Sequence, residues 1–80
     1  MSEQMSKVIN TFSNFKLSDE LSGKSVWEIF DDAMNSELNR KMAESNFDPL
    51  INGRRPTDGW DSILDLGDVL SLLPHIAGGI

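Results

Sequence analysis

Residues 58–80, DGWDSILDLGDVLSLLPHIAGGI, decide the fold of this 80-residue chain. Placed on a helix at about 100° per residue, four apolar residues share one line and four aspartates share another. The apolar line is Ile63, Leu66, Leu70 and Leu73, and the acidic line is Asp58, Asp61, Asp65 and Asp68. This pattern predicts an amphipathic helix over 58–73. Because Pro74 cannot donate a helical hydrogen bond, residues 74–80 are expected to form an apolar tail.

Two further helices are predicted upstream of this stretch. The first, over 3–15, follows from helical spacing of Met5, Val8, Phe12 and Phe15. The second, over 26–44, begins at a capping-box pattern, Ser25 followed three residues later by Glu28. Its apolar stripe is Trp27, Phe30, Met34, Leu38 and Met42.

Prolines, glycines and asparagines crowd the region between the second and third predicted helices, so a long loop is expected over 45–58. No run of alternating β-branched residues indicates a strand. The sequence therefore predicts an all-α fold, a small bundle of about three helices forming a single domain over residues 1–80.

Composition and charge narrow the possible functions. The chain has 13 acidic and seven basic residues, a net charge of −6, and no cysteine. Disulfides and thiolate metal sites are excluded, and the acidity argues against direct binding to nucleic acid, which depends on Lys and Arg. No stretch resembles a secretory leader or approaches the ~18 apolar residues that suggest a membrane span. We expect a cytoplasmic protein without a transmembrane segment.

The C-terminal stretch carries more apolar residues than one core-facing side of a helix needs. We therefore expect a non-enzymatic protein–protein interaction module, such as a small regulator, adaptor, inhibitor or accessory subunit. It would bind a partner with a basic and apolar surface, or its own copy as a homo-oligomer. The predicted apolar contacts are Leu66, Val69, Leu70, Leu72, Leu73 and Ile76, and the predicted steering charges are Asp58, Asp61, Asp65 and Asp68.

The pentapeptide GWDSI at 59–63 resembles the attachment motif of acyl carrier proteins. In that family the serine of a D-S-L/I triplet starts a helix and bears phosphopantetheine. The resemblance implies a carrier modified on Ser62, with an acidic recognition helix. Another alternative from the acidity is a protein that mimics nucleic acid and occupies a basic binding surface.

The sequence gives little indication of a catalytic, metal-binding or small-ligand site. Arg54 and Arg55 form the one basic dipeptide and are possible contacts for a carboxylate or phosphate. His75 is the only histidine and is expected at the surface. We predict no catalytic residues, no metal site and no cofactor.

Overall fold

The computed structural model describes residues 2–75, and the side chains of residues 6–75, as a mixed α/β fold. The prediction of an all-α bundle is therefore wrong. Three antiparallel strands form one sheet in the order β1-β3-β2, namely Phe15–Lys16 (β1), Phe47–Ile51 (β2) and Val69–Pro74 (β3). The α-helices are Ser2–Thr11 (α1), Val26–Ala33 (α2) and Arg40–Asn46 (α3). Short 3₁₀ helices lie at Asp19–Leu21 and Gly59–Asp61.

The central strand β3 occupies the end of the predicted 58–73 helix. Leu70 and Leu72 are 0% and 2% exposed, whereas Leu73 is 48% exposed, and this burial follows the two-residue period of a strand. Gly67 precedes the strand with a φ of +88°, a conformation that ends helical geometry and suits glycine. Only the 3₁₀ turn at Gly59–Asp61 remains of the predicted helix.

The predicted 45–58 loop instead contains β2 and a tight reversal. Asn52 and Gly53 both have positive φ, +55° and +81°. Their neighbours Ile51 and Arg54 exchange two backbone hydrogen bonds of 2.8 and 3.1 Å. This is the geometry of a two-residue hairpin turn, for which Asn-Gly is the preferred sequence.

The predicted 26–44 helix is two helices. Asn35 and Ser36 have φ of +56° and +57°, which breaks the helix after Ala33 because a right-handed helix needs negative φ. A new start follows at Asn39, whose side-chain oxygen accepts a 2.7 Å hydrogen bond from the Met42 amide. The first predicted helix, 3–15, likewise ends early at Thr11.

One hydrophobic cluster joins the helices to one face of the sheet. Phe30 lies at its centre, stacked on Phe12 with ring centroids 5.9 Å apart and in edge contact with Trp60 at 5.4 Å. From the sheet, Phe47 and Leu70 are fully buried against this cluster. Its other buried members are Val8, Leu17, Val26, Ile29, Met34, Leu38, Ala43, Leu64 and Leu72. The sheet is therefore covered by this cluster on one face.

The outer edge of β2 has no free backbone donor. In this antiparallel pair the Asn52 amide donates to the Val69 carbonyl, so alternation directs the amides of residues 47, 49 and 51 away from β3. The Phe47 amide donates to the carbonyl of Ala43 and the Ile51 amide donates to that of Arg54. Pro49 has no amide hydrogen. Each outward position of this edge is thus closed.

Replacing Ser25 by alanine is expected to lower the free energy of unfolding by about 1 kcal/mol. The capping box predicted from the sequence is present: the Ser25 hydroxyl accepts from the Glu28 amide and the Glu28 side chain accepts from the Ser25 amide. Urea denaturation measures the loss. Ser18→Ala is the matched control, since Ser18 precedes the first 3₁₀ helix without a side-chain capping bond. Equal losses for the two variants would contradict the prediction.

Candidate interaction surface

The face of the sheet opposite the core carries a mixed apolar and polar surface. Residues paired directly across antiparallel strands lie on the same face, and the pairs here are Asp48 with Leu73, Leu50 with Ser71 and Lys16 with Val69. Each alternates with a neighbour that faces the core. We call this the open sheet face, formed by Lys16, Asp48, Leu50, Val69, Ser71 and Leu73.

The open sheet face continues into a shallow groove beside α1. Leu73 is 48% exposed and Ile9, on α1, is 38% exposed. Both line a groove of about 200 Å³ between the end of α1 and the second half of β3. Ser71 also lines the groove, and its hydroxyl is 3.4 Å from the Asn14 side-chain oxygen. The exposed apolar surface thus spans two elements.

The six predicted apolar contacts do not lie on one common surface. Val69 and Leu73 lie on the open sheet face. Leu70 and Leu72 belong to the protein's own core, so they are not available to a partner. Leu66 is 63% exposed on the turn before β3. The remaining predicted contact, Ile76, lies outside the described residues.

Sequence reasoning missed Leu50 and Ile9 as surface residues. A signal for Leu50 was present, because the Asn52-Gly53 pair follows it and indicates a strand ending in a hairpin turn. Once β2 is recognised, alternation from the buried Phe47 places Leu50 on the opposite face. Nothing in the helical spacing of α1 indicates that Ile9 lies beside a strand.

The four predicted steering aspartates do not form a single line. Asp61 forms an ion pair with Arg40, with Oδ1 2.8 Å from Nη2. The same guanidinium binds Glu44, and the hydrogen bonds that it donates to Glu44 and to Asp61 raise the Arg40 pKa. Asp61 therefore joins α3 to the 3₁₀ turn. Among the described residues, only Asp58 and Asp65 of the four remain exposed without a side-chain hydrogen bond or ion pair.

The Asp68 side chain forms hydrogen bonds within the protein. Its carboxylate accepts from the Asp65 amide at 2.9 Å and from the Asn52 side-chain amide at 3.1 Å. These donors, the Asp65 amide first, lower the Asp68 pKa below its ordinary value. The side chain therefore ties the turn before β3 to the hairpin turn after β2.

Ser62 does not occupy the position that the carrier resemblance implies. It follows the 3₁₀ helix Gly59–Asp61 as its C-terminal cap, and its carbonyl accepts from the Val26 amide at 2.9 Å. The carrier family places its modified serine at the start of a helix. The described residues contain no helix that begins at Ser62.

The predicted anion contacts lie on the hairpin and the loop that follows it. The Arg54 backbone closes the turn with Ile51, and both arginines are exposed. The Arg55 guanidinium is 3.9 Å from a carboxylate oxygen of Asp48. This arrangement places a carboxylate beside Arg55.

The described residues form a small mixed α/β fold, with helices on one face of a three-stranded sheet and a mixed apolar and polar surface on the other. No helix within residues 2–75 is long and apolar enough to cross a bilayer. Within the same range no three His, Asp or Glu side chains are grouped to hold a metal ion. Comparisons with protein-family models, curated proteins and solved structures found no match to this chain.

Proposed function

We propose that this protein is a non-enzymatic interaction module that binds another protein through its open sheet face. The exposed apolar surface of Leu73 beside Ile9 is the observation that carries this proposal. Burying such side chains against a partner is favourable by roughly 25 cal/mol per Å² of apolar area, before the costs of association. The regulator, adaptor, inhibitor and accessory-subunit roles all require this kind of surface.

Polar groups around the apolar residues support a specific contact. Ser71 lies between Leu50 and Leu73 on the open sheet face, and Lys16 and Asp48 flank it. Protein interfaces combine apolar side chains with polar groups that form hydrogen bonds to the partner. The hydroxyl and the charged groups would fix the orientation of the partner, while the leucines supply buried area.

Electrostatics favour a partner with a basic surface. The chain carries a net charge of −6, so a basic partner is attracted over a distance of about 10 Å at moderate salt. Exposed carboxylates at Asp58 and Asp65 contribute to this field. We infer that charge accelerates association and that the open sheet face determines where the partner is held.

Replacing Leu73 by aspartate is expected to reduce partner binding by at least about tenfold, because the change places a charge within the apolar contact. Immobilised wild-type and variant chains would be compared for proteins retained from the native cell, with quantification by mass spectrometry. A partner is defined as a protein that the wild-type chain retains above the level of an uncoupled support, and the Leu73→Asp chain is expected to lose it. Circular dichroism confirms that the variant is folded.

Leu66→Asp is the matched control for this experiment, since Leu66 is also exposed and apolar but lies on the turn before β3. Loss of the same partner with Leu66→Asp alone would assign the contact to the turn and overturn the proposed surface. Retention of the partner by both variants would also overturn the proposed surface.

Sedimentation over a range of concentrations tests the second-copy alternative, in which the chain itself is the partner. The cytoplasmic location stays a prediction.

A further inference from the structure

His75 joins three parts of the chain at the end of β3. Its amide donates to the Asn46 carbonyl at 2.8 Å, continuing the ladder between β3 and β2 by one residue. Its ring nitrogen Nδ1 is 2.9 Å from the Ser45 carbonyl oxygen. The other ring nitrogen, Nε2, is 2.7 Å from Oδ1 of Asp48. One side chain therefore bridges α3 and β2.

Both ring nitrogens of His75 face groups that accept hydrogen bonds. The Ser45 carbonyl cannot donate, and an ionised Asp48 carboxylate only accepts. A neutral imidazole has one N–H, so one of its two contacts would place a lone pair against an oxygen. The imidazolium has two N–H groups and satisfies both contacts. The geometry of this bridge therefore fits the protonated ring.

The charged neighbours of this ring come from two elements. Asp48 on β2 stabilises the imidazolium, and Arg55, 3.9 Å from Asp48, opposes it. From α3 the ring meets the Ser45 carbonyl. The hydrogen bond to Asp48 raises the His75 pKa above its ordinary value, and the Ser45 carbonyl adds to this effect. The Arg55 charge lowers the pKa in part.

We propose that protonated His75 is a pH-sensitive clamp that holds the end of β3 against α3 and β2. Below the His75 pKa both ring contacts are made and Leu73 is held in place on the open sheet face. Above the His75 pKa one ring contact is lost, and the end of β3 is held less firmly against α3 and β2. A fall in partner affinity at high pH would follow, and this last consequence alone rests on the proposed function.

The direction of the effect on stability follows from proton linkage. A group with a raised folded-state pKa binds its proton more tightly in the folded protein than in the unfolded chain. The contribution of His75 to stability is therefore fully present below its ordinary value of about 6.5. It is lost as the pH rises through the folded-state value.

The clamp is tested on the free protein by NMR between about pH 5 and pH 9, a range that spans histidine titration. With one histidine in the chain, the ring signals report a single residue. We expect a midpoint above about 6.5. The protection factor of the His75 amide against hydrogen exchange, corrected for intrinsic rates, should fall several-fold across that midpoint.

Two variants with the same change in charge separate the clamp from general electrostatics. Asp48→Asn removes the carboxylate at the ring and should shift the midpoint downward. Asp58→Asn removes an exposed carboxylate and should leave the midpoint close to that of the wild type. A wild-type midpoint at or below 6.5, protection independent of pH, or equal shifts in the two variants would each overturn the clamp.

Partner binding measured across the same pH range separates this proposal from the proposed function. If the ring titrates as expected but affinity does not change with pH, the clamp stands and its link to binding is wrong. If Leu73→Asp leaves partner binding intact, the open sheet face is wrong as the contact surface. Neither result alters the ring titration.

Discussion

Phe30→Ala is expected to lower the free energy of unfolding by about 3–5 kcal/mol, the usual cost of truncating a buried aromatic residue. The Phe30 side chain is fully buried and contacts three aromatic rings, those of Phe12, Trp27 and Trp60. Its removal leaves a cavity where helices α1 and α2 meet the 3₁₀ turn. Since the free energy of unfolding of small domains is about 5–15 kcal/mol, this single change would remove a large part of it.

Thermal and urea denaturation followed by circular dichroism measure this loss. A decrease of 3 kcal/mol in a domain of this size lowers the melting temperature by more than about 10 °C. Phe15→Ala is the matched control, because Phe15 is only partly buried and packs against the edge of the same cluster. A loss for Phe15→Ala as large as that for Phe30→Ala would show that Phe30 is not central to the core.

Leu70→Ala and Leu73→Ala are expected to differ strongly although the residues are three positions apart. Leu70 is 0% exposed at the centre of the sheet, so its truncation should cost about 2–5 kcal/mol. Leu73 is 48% exposed on the other face, and its truncation should cost less than about 1 kcal/mol. On the predicted helix both residues would share one ridge and have similar costs.

The same two variants, Leu70→Ala and Leu73→Ala, are expected to rank in the opposite order when partner binding is measured. Leu73→Ala should weaken capture of a partner while leaving stability nearly intact, and Leu70→Ala should reduce stability without removing any part of the open sheet face. The denaturation midpoint and the partner affinity are measured for both variants, and the larger loss of stability should belong to Leu70→Ala and the larger loss of affinity to Leu73→Ala. Equal destabilisation by the two substitutions would contradict the placement of Leu70 and Leu73 on opposite faces of β3.

The start of α2 was predicted correctly from the sequence, whereas the predicted helix start at residue 58 was wrong and the start of α3 was not predicted. Ser25 and Glu28 cap α2 as expected, because a capping box depends on residues within one turn. Core membership was also predicted in part, since Phe30, Met34 and Leu38 are buried as their spacing indicated. Spacing alone did not show that Leu38 lies in the loop between two helices.

The sheet was missed because its pairings are distant in the sequence. Leu70 pairs with Phe15 on one side and Ile51 on the other, and no local pattern records such neighbours. A leucine-rich stretch such as VLSLL satisfies the helical and the strand period together, so tertiary pairing decides between them. Gly67 and the Asn52-Gly53 pair were the local signals that favoured strands.

The candidate surface was predicted only in part for the same reason. Val69 and Leu73 were assigned to the contact surface from a helical projection, and a strand happens to leave them on one face as well. Leu70 and Leu72 were assigned with them because a helix presents neighbouring turns together, whereas a strand alternates its sides. The prediction of an interaction module itself remains untested.

The closed edge of β2 also bears on how the protein behaves at high concentration. Proteins that expose apolar strands often polymerise by adding strands edge to edge, which requires free amide donors along the edge. Here the donors at Phe47 and Ile51 are already used and Pro49 has none. The molecule is therefore expected to resist amyloid growth through this edge, while the open sheet face stays accessible to a partner.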